Sequence, residues 1–279
     1  MIINSKNSFA FMHIPKCAGT SVREQLSRFD SYEGAFHRGV VSFDGLGDVD
    51  THHIPLARLK DHFPEAFEKI VAYEVFAILR DPFKRFPASM FQRLRMYGET
   101  DIAALSPKEI LTATREITAE LEAYGSDGLM PHDLIHFQPQ ATYVELDGQR
   151  FVKHLYRIDD LTNFFAAVDR QLGGVLEEDP ERLGSLRSNP TRIFRDAIVG
   201  RLVSLVPSAV RYPLLGLTPA WLKERLRGAA FEPSNARLVD IMKDPEVARF
   251  VSSFYARDIA LWQEIGGEVA QTEHAEACK

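Results

Sequence analysis

Short apolar runs alternate along this chain with stretches in which apolar residues recur every three or four positions, the pattern of strands separated by helices. Phe9–Ile14 is the first run, β-prone and short enough for a buried strand. Pro15 ends it, having no N–H to give to a ladder. Val22, Leu26 and Phe29 then recur at helical spacing among Arg23, Glu24, Gln25 and Arg28, so the segment predicts strand, tight loop, helix. Ser31–Asp50 holds Gly34, Gly39, Gly45 and Gly47 and reads as loop with one strand around Phe36–Phe43. Leu56, Leu59, Phe63 and Phe67 mark a helix, and Tyr73–Leu79 a second buried strand. Two such strands separated by helices predict a parallel βαβ arrangement.

Further on, Arg80-Asp81-Pro82 opens a helix to about Tyr97, and Ser106-Pro107-Lys108-Glu109 is a capping box for another to about Tyr124. Gly125–Pro139 is a loop containing His132, His136 and Gln138, with Gln140 just beyond. Asp147-Gly148 is a hairpin turn between Thr142–Leu146 and Arg150–Ile158. Asp159 and Asp160 are placed to cap a helix, Leu161–Leu172, that stops at Gly173-Gly174. Residues 196–227 mix apolar positions with Arg201, Arg211, Lys223, Arg225 and Arg227. They predict helices packed on the domain with a basic side (196–230 as a helical insertion), and such a segment can also lie on a membrane surface. Helices from near Ser234 and from Asp244-Pro245 close the chain ahead of a polar tail, Gln271–Lys279.

The expected architecture is therefore α/β: one domain over 1–279, a three-layer arrangement with a central, mainly parallel sheet flanked by helices and a helical C-terminal part. At 279 residues the chain can bury a substantial core. A formal net charge of −6 argues against general affinity for nucleic acid. Two cysteines, Cys17 and Cys278, build no disulfide framework and suggest a reducing, cytoplasmic compartment. No apolar segment precedes the first strand, so neither signal peptide nor anchor is expected.

Chemistry concentrates in the loop Pro15-Lys16-Cys17-Ala18-Gly19-Thr20-Ser21. Small residues before a helix direct free backbone N–H groups, two hydroxyls and the positive end of the helix dipole at one point, and Lys16 adds a cation. That suits a phosphate or sulfate. It is not a Walker loop, in which the lysine follows the last glycine and precedes Ser or Thr, because here Lys16 precedes Gly19. At the end of the second strand Arg80 faces a helix start, where a guanidinium can hold a second phosphate by bidentate contacts. No H-x-x-x-H helix or cysteine pair signals zinc, and no metal is expected.

IPKCAGTS resembles the 5′-phosphosulfate loop of sulfotransferases, in the form its carbohydrate branch uses. RDPFKRFPASMFQRL resembles their 3′-phosphate element, although Ala88 stands where the family serine falls and Ser89 follows one later. HFQPQATYV, FVKHLYRIDDL, LRSNPTR and FYARDIALWQEIG resemble later family segments more weakly. The resemblance implies a P-loop-like domain, cytoplasmic and bacterial by comparison with anchored animal relatives. It implies transfer of a sulfuryl group from 3′-phosphoadenosine 5′-phosphosulfate to a hydroxyl, releasing 3′-phosphoadenosine 5′-phosphate, with a glycan or glycolipid as acceptor. On that pattern Pro15 to Ser21 hold the 5′-phosphosulfate, Lys16 acts in catalysis, and Arg80 with Ser89 hold the 3′-phosphate. His52 and His53 compete as general base, and the family stretch aligns better on His53. Two other classes stay open: a nucleotide-dependent phosphoryl transferase, and a non-catalytic nucleotide- or glycan-binding module.

Overall fold

A computed structural model of the protein describes residues 1–98, 102, 105–176, 183, 192–194, 231–233 and 239–277. The fold is mixed α/β. Its central sheet has four strands: β1 (Ile2–Asn4), β2 (Phe9–Met12), β5 (Glu74–Leu79) and β8 (His154–Arg157), in the order β1-β2-β5-β8. β2, β5 and β8 are parallel and β1 runs antiparallel at the edge. Every residue of β2 is buried, as are five of the six in β5, and for this reason both appear as unbroken apolar runs. β1 is a three-residue strand that the apolar pattern does not single out.

Helices flank the sheet. α1 (Gly19–Leu26) follows β2 and buries Val22 and Leu26. The single helix expected across Leu56–Phe67 is two, α2 (Leu56–His62) and α3 (Pro64–Ala72), because Pro64 starts a new helix and forces Phe63 out of helical geometry. Where one strand is expected around Phe36–Phe43 there is a two-stranded ribbon, β3 (Val40–Phe43) with β4 (Gly47–Asp50). Alternation between exposed and half-buried positions in β3, and Asp48 and Asp50 in β4, hide it from an apolar-run search.

After β5 come α4 (Pro82–Tyr97), capped by the Asp81 carboxylate on the Phe83 N–H, and α5 (Pro107–Tyr124), whose Ser106/Glu109 capping box is complete. Most of the expected strand Thr142–Leu146 is a helical turn, α6 (Ala141–Val144). Only β6 (Glu145–Leu146) pairs with β7 (Gln149–Arg150), across Asp147 and Gly148 at positive φ. α7 (Leu161–Leu172) begins after Asp160, but that carboxylate accepts from the Asn163 side chain instead of capping the helix backbone. β9 (Arg192–Phe194) pairs with β10 (Phe231–Pro233). The closing helix is broken at Tyr255 into α8 (Pro245–Phe254) and α9 (Ala256–Ala277), and α9 takes in most of the stretch expected as a polar tail. The LRSNPTR loop apart from Arg192, the basic segment 196–227, the rest of the expected insertion to 230, and the helix start at Ser234 lie outside the described residues.

Two apolar clusters fill the interior. One is built on the sheet with α1, α2 and α7, and the other joins α4, α5 and α8 through Phe86, Met90, Leu121 and Val251. Between them lies a buried ion pair, Arg85 with Asp258, 3.7 Å apart and 1% and 0% exposed. Asp258 also accepts from the N–H groups of Gln140 and Ala141 (2.9 and 2.8 Å), and Arg85 donates to the carbonyls of His136 and Gln138. Removing one partner of a buried pair leaves the other charged and unmatched. Asp258→Ala should therefore cost about 3–5 kcal/mol. Urea unfolding of the variant measures this, and a loss below about 1 kcal/mol would show the pair to be dispensable.

Candidate active site

Because β2 and β5 are adjacent and parallel, the segments leaving their C-terminal ends lie side by side. The first carries Lys16, the second Arg80. Arg80 Nη1 donates to the Lys16 carbonyl at 3.3 Å, so the two loops touch. Lys16 and Ala18 both adopt left-handed backbone, φ 64° and 59°, and Ala18 occupies the N-cap position of α1. Neither is glycine, and such geometry costs about 1–2 kcal/mol per residue. Strain of this kind persists where surrounding structure fixes it, often at binding loops.

Lys16 is half-buried with its Nζ 3.4 Å from Gln92 Oε1 on α4. Burial, with the neighbouring charges of Arg80 and Arg95, brings its pKa down to about 8. Thr20 is exposed, whereas Ser21 is buried. Cys17 is buried, 3.2 Å from Gln140 Oε1, and burial pushes its thiol up to about 12, so it is no thiolate nucleophile at neutral pH. Gly19 has a specific reason to be glycine. A Cβ there would lie 1.8 Å from the His13 ring.

Ser89 departs from expectation. It is 1% exposed and its hydroxyl donates to the His136 carbonyl at 2.7 Å, beside the Arg85 guanidinium on the same oxygen. Ala88 before it is buried as well, at 5%, so both positions face the interior, and the Ser89 hydroxyl is engaged in placing His136.

Gln140 closes the junction. Its side-chain amide accepts from the Arg80 N–H (2.9 Å) and donates to the Arg80 carbonyl (2.8 Å), extending β5 by a mock strand pair. The H-x-x-x-Q spacing from His136 marks the segment of Gln140, and FYARDIALWQEIG that of Asp258, but no local signal marks either as the joint between the two loops.

Five imidazoles gather on the other side of the lysine loop. Ring centroids of His13 and His53 are 4.5 Å apart, His53 and His136 5.3 Å, His52 and His53 6.0 Å, and His37 and His52 5.9 Å. The β3–β4 ribbon delivers Asp50 into this group, where its Oδ1 accepts from the His52 N–H and lies 3.0 Å from His52 Nδ1. Burial opposes the Asp50 charge, but the bond from His52 and the field of His53 outweigh it and hold the carboxyl down to about 2. Burial lowers His53 and His37 to about 3, His136 to about 4, and His13 well below the ordinary range, so these rings are neutral at neutral pH.

The two candidate bases differ in setting. His53 is 8% exposed with Nδ1 3.3 Å from the His13 carbonyl. His52, more open at 23%, is oriented by a carboxylate, the arrangement that holds an imidazole in one tautomer with Nε2 free. His154, by contrast, stacks on Phe76 at 4.3 Å and meets Glu74 at 2.6 Å, a structural role on β8. Asp50, His53 and His136 each offer a ligand atom within 4.8 Å of the others, a grouping that no sequence spacing signals.

No family model, curated protein or solved structure matches the chain. Among the described residues no helix is long and apolar enough to cross a membrane. The His13–Gly19 contact makes a specific prediction. Gly19→Ala should cost about 1–3 kcal/mol by overpacking. Adding His13→Ala in the same chain should recover most of that loss, and a double-mutant cycle by thermal unfolding checks it. Strict additivity would mean the ring is not what excludes a side chain at 19.

Proposed function

We propose that the protein is a sulfotransferase that takes the sulfuryl group from 3′-phosphoadenosine 5′-phosphosulfate to a hydroxyl acceptor, a glycan or glycolipid. One observation carries this reading: the ends of two paired parallel strands bring a lysine loop at a helix N-terminus and an arginine into contact. A nucleotide with anionic groups on both sides of its ribose needs two such sites, one for each end. In the P-loop-like arrangement proposed, Lys16 with the backbone of Cys17–Ser21 takes the 5′-phosphosulfate and Arg80 the 3′-phosphate. The free, buried Cys17 accords with a cytoplasmic setting.

The acceptor oxygen attacks sulfur in line with the departing phosphate oxygen. An O–S bond forms, the S–O bond to phosphate breaks, and the acceptor proton passes to an imidazole. The resemblance points to His53, but its sealed ring and engaged Nδ1 favour its neighbour. The proposal gives the proton to His52 Nε2, with Asp50 holding the ring, and gives Lys16 the charge developing on the leaving oxygen.

Sulfate transfer from labelled donor to a panel of glycans, glycolipids and phenols tests the activity. Lys16→Ala should lower turnover about a hundred- to a thousandfold, the scale of one preorganised charge contact. His52→Ala should lose about a hundredfold or more at saturating donor with nucleotide affinity intact. His53→Ala losing more than His52→Ala would return the base to His53. Wild type should prefer 3′-phosphorylated nucleotide strongly, and Arg80→Ala should erase that preference. Equal affinity with and without the 3′-phosphate would favour a phosphoryl transferase, and nucleotide or glycan binding without transfer would favour a binding module.

Lys16 also sets a pH dependence. It is charged below its pKa of about 8 and neutral above it, so affinity for 3′-phosphoadenosine 5′-phosphate should fall as pH rises through that value. Lys16→Arg should flatten the fall, because a guanidinium stays protonated throughout. A wild-type affinity that is level from pH 7 to 9.5 would remove Lys16 from the anion site.

A further inference from the structure

The gathering of histidines holds more uncommitted polar atoms than a packed interior tolerates. His13 Nδ1 and both ring nitrogens of His37 are buried without a hydrogen-bond partner. These atoms border the grouping described next without belonging to it, and the case for a ligand rests on that grouping. Within the same group Asp50 spends Oδ1 on His52, and His53 spends Nδ1 on the His13 carbonyl. Around these bonds, ligand atoms of Asp50, His53 and His136 converge to within 4.8 Å of one another without bonding to one another.

We propose that Asp50, His53 and His136 form a binding site for one divalent first-row transition ion, with Zn²⁺ the natural occupant. Two imidazoles and one carboxylate are a donor set such ions favour, with positions left open for a further ligand. At bond lengths of about 2 Å, each of the three atoms needs to move inward by less than about 1 Å. The scaffold for this is already fixed. His136 is placed by the Ser89 hydroxyl and the Arg85 guanidinium on its carbonyl, and His53 by its N–H on the Asp50 carbonyl.

Electrostatics decide what fills the open position. Lys16 and Arg85 both act on His136, so a bare dication would sit in a field already positive on one side. The Asp50 carboxylate offsets part of that, and an anionic oxygen on the ion would offset the rest. The site therefore suits an ion that carries hydroxide or an oxyanion in its open position. This inference concerns binding alone and stands apart from the reaction proposed above.

The test uses the full chain without an affinity tag, stripped by a chelator. Co²⁺ titration should give saturable visible absorption at one ion per chain, and Zn²⁺ should displace it. Asp50→Asn, His53→Ala and His136→Ala should each weaken Zn²⁺ binding by at least about tenfold, whereas His62→Ala, on the exposed face of α2, should leave it unchanged. Circular dichroism establishes that each variant is folded. X-ray absorption of the Zn²⁺-loaded wild type supplies a reading that needs no variant, and should show only nitrogen and oxygen neighbours including two imidazoles. Absence of saturable binding by the wild type, equal binding by all folded variants, or sulfur in the ion's coordination shell would each overturn the site.

Discussion

The mouth of this sheet is held together by one buried amide. Gln140 pairs with both backbone groups of Arg80, takes the Cys17 thiol on the same oxygen, and has its own N–H held by Asp258. A parallel sheet fixes its strands only as far as the ladder runs. β5 ends at Leu79, and beyond that point the chain needs another partner to hold direction. The glutamine supplies it from a segment 60 residues away, anchored in turn by α9. Relative placement of the lysine and arginine loops thus depends on one buried side chain.

The electrostatic layout follows from the same junction. Cations collect on one side of the lysine loop, in Lys16, Arg80 and Arg95, while burial keeps His53 and His136 beside it uncharged. Asp81 lies beside Arg80 and the buried Asp258 beside Cys17, and each offsets part of this positive field, whereas the carboxylate of the histidine group is engaged by His52. Burial that weakens Lys16 as a cation also strips it of water, so its charge is worth more to an anion than a solvated lysine's would be.

Local signals expose the parts of the molecule that are locally determined. β2 and β5 are continuous apolar runs because both faces are covered, the Ser106–Glu109 capping box is a purely local device, and Asp147-Gly148 can turn through positive φ at two successive residues. The lysine loop is legible for the same reason, being contiguous. The grouping of His13, Asp50 and His136 is not, because the chain brings them together from just past β2, the ribbon and the loop before α6, with no spacing to connect them. The Phe63-Pro64 break is a case where a single residue ends one helix and starts another, below the resolution of any periodicity.

The β3–β4 ribbon has a consequence of its own. Among the described residues its strands pair only with each other, and a two-stranded ribbon is marginal unless something covers it. Val49 reaches the core, Phe43 packs on Phe63, and Thr51 ties the ribbon's end to Gly39, but Val40, Ser42, Gly47 and Asp48 remain exposed. Such a unit opens more readily than the sheet beside it. Asp50 and the orientation of His52 travel with it, so the carboxylate at the heart of the histidine group is carried by one of the least embedded pieces of the fold. An opening of the ribbon would move Asp50 and His52 together, while the lysine and arginine loops, built on the central sheet, would keep their places.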